Sequence, residues 1–122
     1  MTSEEEVSRF ITSSFPSVWA LELLLMLKSR PGCHSHAELI AWLRASDLVV
    51  TQALDSLIAA GLASVDADEC VSYTPVSPAV ADLVDQAQDL YSRRPDAVRR
   101  MIVAPYARGI TAFADAFRLR KD

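Results

Sequence analysis

The chain is expected to be mainly α-helical with one small β-hairpin, and three observations predict this class. Apolar residues recur at three- and four-residue spacing in segment after segment, the signature of amphipathic helices. Only two short runs are β-prone, Ala63-Ser64-Val65 and Cys70-Val71-Ser72-Tyr73-Thr74, and they flank the polar turn cluster Asp66-Ala67-Asp68-Glu69. Serine, proline and glycine sit where helices should begin and end.

In chain order, Ser3 caps a first helix to about Ser14, with Glu4, Glu5 and Glu6 at the positive end of its dipole and Val7, Phe10 and Ile11 on one face. So short a helix is marginal alone and needs a surface to pack on. Pro16 precedes a second helix from about Ser17, and its run VWALELLLML carries Glu22 as its only charge. That helix should be buried on nearly every side, with Trp19 and Met26 as core or interface residues. A loop punctuated by Pro31-Gly32 leads to a Ser35-capped helix reaching about Ala45, with Leu39, Ile40, Trp42 and Leu43 inside and Glu38 and Arg44 in solvent.

The stretch Ser46 to Leu62 organises the rest. Ser46 or Asp47 caps it, Val50, Ala53, Leu54, Leu57 and Ile58 make one buried face, and Gly61 closes it in the left-handed conformation. After the hairpin, Ser77-Pro78 starts a helix lined by Val80, Leu83, Val84, Ala87, Leu90 and Tyr91. Arg93-Arg94-Pro95-Asp96 interrupts it. A further helix holds Val98, Met101 and Ile102, and a last one from about Arg108 to Leu119 carries Ile110, Phe113, Ala114 and Phe117. At this length a single domain over 1–122 is expected.

Within the organising stretch, Val50, Ala53, Leu54, Leu57, Ala60, Gly61 and Leu62 spell Val-x-x-Ala-Leu-x-x-Leu-x-x-Ala-Gly-Leu. This run resembles the second helix of the helix-turn-helix in the winged-helix family of bacterial transcription regulators. The order of helices and hairpin over about 17–75 is similar to that family, with a helical extension over about 78–119. The resemblance implies a winged helix-turn-helix with extra N- and C-terminal helices. It also implies that a terminal helix joins a dimer interface, and DNA binding through the exposed face of the second helix and the wing. A homodimer is expected because the apolar helix at Val18 to Leu27, the first helix and the C-terminal aromatic stripe together exceed what one small domain covers.

The surface chemistry pulls the other way. No lysine or arginine lies between Arg44 and Arg93, while Asp47, Asp55, Asp66, Asp68, Glu69, Asp82, Asp85 and Asp89 all do. Affinity for duplex comes mainly from cations that neutralise phosphates. The candidate DNA- or partner-binding set is Asp47, Thr51, Gln52, Asp55 and Ser56 on the helix and Asp66, Asp68 and Glu69 on the wing. Gln52 has the amide that pairs with adenine and Thr51 a hydroxyl for phosphate or base edge. An acidic set of this kind fits a basic protein partner as well as it fits transcription regulation. Candidate phosphate contacts come from the basic C-terminal third, namely Arg93, Arg94, Arg99, Arg100, Arg118, Arg120 and Lys121.

Enzyme chemistry is not expected: three glycines build no phosphate loop, and neither Gly-x-Ser-x-Gly nor His-Glu-x-x-His occurs. Cys33, His34 and His36 lack the paired spacing of a zinc site, so neither metal nor cofactor is expected. Two cysteines are too few to staple a fold of this size, and Cys33 and Cys70 are expected as free thiols. The acidic N-terminus MTSEEEV has no signal-peptide pattern and no apolar run reaches membrane length, so a cytoplasmic setting is expected.

Overall fold

A computed structural model of the chain describes residues 3–104. Five helices and one hairpin follow in the order α1 (Glu4–Ser14), α2 (Val18–Ser29), α3 (His36–Leu43), α4 (Asp47–Ala59), β1 (Ala63–Val65), β2 (Val71–Tyr73) and α5 (Pro78–Arg93). A sixth helical stretch, α6, covers 95–104. The helix expected from Arg108 to Leu119 lies outside the described residues. No single described helix is long and apolar enough to cross a membrane.

Serine starts each of the first five helices. The hydroxyls of Ser3, Ser17, Ser35, Ser46 and Ser77 accept the amides of Glu6, Ala20, Glu38, Val49 and Val80 at 3.1–3.2 Å. At α3 the cap is reciprocal, because the Ser35 amide donates to Glu38 Oε1 across 3.2 Å. That bond holds the Glu38 carboxyl below its ordinary value. Helix α3 stops at Leu43, two residues earlier than expected, because Arg44 takes a left-handed conformation with φ of 53°.

Helix α2 sits at the centre, with Ala20, Leu21, Leu23, Leu24 and Leu27 buried. Val50, Ala53, Leu54 and Leu57 of α4 join them in one core, as do Val7, Ile11 and Phe15 from the N-terminal segment. Val84, Ala87 and Leu90 of α5 and Val98 and Ile102 of α6 belong to the same cluster, so α5 and α6 dock on the chain's own core. Two residues depart from the expected burial. Trp19 is 44% exposed, because it lies on the side of α2 facing a groove shared with Trp42 and Met26. Ile58 is 42% exposed, because the buried face of α4 ends at Leu57 and leaves the next position at its rim.

The hairpin is antiparallel, pairing Ala63 with Tyr73, Ser64 with Ser72 and Val65 with Val71. Leu62, Ala63 and Val71 anchor its base in the core. His34, just before α3, adds one rung beside β2: its amide and carbonyl each exchange a 2.8 Å hydrogen bond with Val71.

Candidate binding surface

The exposed side of α4 carries the residues expected to make contacts. Asp47, Leu48, Thr51, Gln52 and Asp55 are exposed and Ser56 half-buried, following the three- and four-residue spacing of one helical stripe. Leu48, at the N-terminal end of the stripe, is its apolar member and is 65% exposed. Of this stripe, Asp47 meets a ring nitrogen among the described residues: His36 Nε2 lies 2.5 Å from its Oδ1, joining the starts of α3 and α4. Further along, Gln52 and Ser56 border a shallow groove closed by Pro16 and Ser17.

The hairpin loop also presents carboxylates, but its members differ in role. Asp66 Oδ1 accepts the amides of Asp68 and Cys70 at 2.9 and 3.0 Å, so this side chain builds the turn. Asp68 and Glu69 are exposed at its tip, and Glu69 takes a φ of 60°.

Three of the candidate phosphate-contacting arginines face carboxylates of the same chain. Arg93 Nε lies 2.9 Å from Asp89, Arg94 3.7 Å from Glu4 of α1, and Arg99 3.4 Å from Asp96. Arg99 also stands 5.5 Å over the Tyr91 ring. Arg100 is exposed. Arg118, Arg120 and Lys121 lie outside the described residues.

The cysteines correct the expectation of free thiols. Cys33 and Cys70 are joined as a disulfide, linking the loop after α2 to the start of β2 across 37 residues. No local motif could have disclosed it; the His34–Val71 rung brings the two segments together. The neighbouring histidines turn elsewhere. His34 packs edge-on against Trp42 and meets the Arg30 carbonyl at 2.7 Å, while His36 faces Asp47. Comparison of the chain with protein-family models, with curated proteins and with solved structures finds no match.

Proposed function

We propose that the chain is a winged-helix module of the transcription-regulator class that docks a basic protein partner through the exposed stripe of α4 and the tip of the hairpin. The order α2, His34 rung, α3, α4 and hairpin supports the winged-helix part of this reading. One observation carries the rest: Asp47 and Asp55 stand on the exposed face of α4 with Asp68 and Glu69 at the hairpin tip, and no lysine or arginine accompanies them over 45–92. Such a field attracts a basic surface and repels a polyanion. A gel shift of the full chain with random duplex across a salt series tests it. The expected outcome is no duplex binding near physiological salt.

A second reading is sequence-specific DNA binding, favoured by the exposure of Thr51 and Gln52 at the front of α4. In that case the α4 stripe enters the major groove and phosphate contacts come from outside α4. Under either reading the module works as a homodimer.

A further inference from the structure

We propose that Cys33 and Cys70 form a reversible redox site, open to small dithiol reductants, whose state decides whether the hairpin is held to the loop between α2 and α3. Position supports it first. Cys33 is exposed and Cys70 half-buried, and a shallow groove of about 370 Å³, lined by Lys28, Pro31, Gly32, Ser72 and Tyr73, opens beside Cys33. A thiolate can therefore reach the bond without unfolding the chain.

Independence from the core supports it next. The buried cluster includes neither cysteine, and the base of the hairpin keeps its own anchors in Leu62, Ala63 and Val71. Beside the disulfide, the loop is tied to β2 by the two His34–Val71 hydrogen bonds. With the covalent brace gone, a rung of only two backbone bonds opens at lower cost than the core beneath it. The hairpin tip, with Asp68 and Glu69, then moves independently of α3 whatever molecule it meets.

The chemistry balances with the dithiol alone. One thiolate of the reductant attacks Cys33 Sγ, forming a mixed disulfide and releasing Cys70 as a thiolate that takes a proton. The reductant's second thiol then displaces Cys33, which also leaves as a thiol. Two electrons and two protons pass to the protein, and the reductant departs as its cyclic disulfide.

The test equilibrates the full chain in mixtures of reduced and oxidised dithiothreitol, then counts free thiols by alkylation and intact mass. Hydrogen exchange is read on the two end states. A single reversible transition between no free thiols and two is expected. His34 and Val71 amides should exchange at least tenfold faster in the reduced protein, with Leu24 and Leu57 changed less than twofold. The Cys33→Ser, Cys70→Ser double variant should match the reduced pattern in either buffer. Two free thiols at every mixture would overturn the proposal, as would equal exchange at His34 and Val71 in both states. Loss of protection throughout the chain on reduction would also overturn it, since the bond would then be a staple for the whole fold.

Discussion

Tyr91 of α5 donates its hydroxyl hydrogen to Glu22 Oε1 of α2 across 2.5 Å, and this bond gives the one acid of the central helix its partner. Lys28 at the other end of α2 repeats the arrangement, reaching Asp85 at 3.0 Å and Gln88 at 2.5 Å on α5. These three polar contacts tie α5 to α2, while Val84, Ala87 and Leu90 of α5 join the common core. Register between the two helices thus has polar as well as apolar determinants.

Replacing Tyr91 with Phe should cost ~1 to 2 kcal/mol in a denaturant melt, because it leaves the half-buried Glu22 carboxylate without its donor. Burial pushes the Tyr91 hydroxyl above its ordinary value, and Glu22 adds to the shift. A raised value means that the neutral hydroxyl is the form the fold prefers. Its contribution is therefore fully present below pH ~10 and is lost as pH rises through the folded value. Tyrosinate absorbance should show one late-titrating component fewer in Tyr91→Phe. An unchanged alkaline profile would contradict the contact.

Leu57 tests the core of α4. It is wholly buried, whereas Leu54 keeps a small exposed fraction, so Leu57→Ala should cost ~2 to 5 kcal/mol and Leu54→Ala should fall at the lower end. Gly61 closes the same helix: its φ is 75°, its amide reaches the Ile58 carbonyl, and the Leu62 amide reaches that of Leu57. A Cβ there would also stand 3.2 Å from Val76. Gly61→Ala should therefore cost ~1 to 2 kcal/mol for the left-handed backbone alone. Chemical denaturation of the three variants gives the order directly.

Assembly is the third prediction. Trp19, Trp42, Val18, Met26 and Leu43 line a groove of about 540 Å³ that also carries Glu22 and Arg99, and Trp19 stands well out of the core for so large an aromatic. Light scattering at micromolar concentration should return twice the monomer mass, and Trp19→Ala should lower the dimer fraction. A monomer mass from folded wild-type protein would refute it.

How much of this was legible in the sequence depends on the range of the interaction that decides each feature. Ser35, Ser46, Ser77-Pro78 and Gly61 act on their own helix ends, so the boundaries they mark are readable from neighbouring letters. Periodicity located the α4 stripe but not its edge: Ile58 follows Leu57 by one residue and falls on the rim of the same face. Asp66 illustrates a different loss, because an aspartate that builds a turn and one that greets a partner look alike until its two amide donors are seen. The Cys33–Cys70 bond, the Glu22–Tyr91 contact and the Arg94–Glu4 pair join residues far apart in the chain, and no spacing rule reaches them.

The last prediction separates the two functional readings by charge. Docking of a basic protein should be abolished by Asp55→Arg, which puts a like charge against the partner, and the wild type should ignore duplex near physiological salt. DNA recognition through α4 should respond in the opposite sense. There Asp55→Arg adds a phosphate contact, raising affinity for any duplex and steepening the salt slope by about one, whereas Gln52→Ala should relax base preference by ~1 to 3 kcal/mol. The arginines supply a further arm. Arg99 is held by Asp96 and Tyr91, so phosphate would have to displace partners it already has, while Arg100 is exposed. If duplex binding were lost on Arg99→Ala and Arg100→Ala with Gln52→Ala silent, the contact would lie on α6 and α4 would serve as scaffold. The protein-docking reading is favoured because eight acids stand over 45–92 without one lysine or arginine, and Arg93, Arg94 and Arg99 beyond them already face carboxylates. Tight, sequence-specific duplex binding that Gln52→Ala alone removes would reverse that preference.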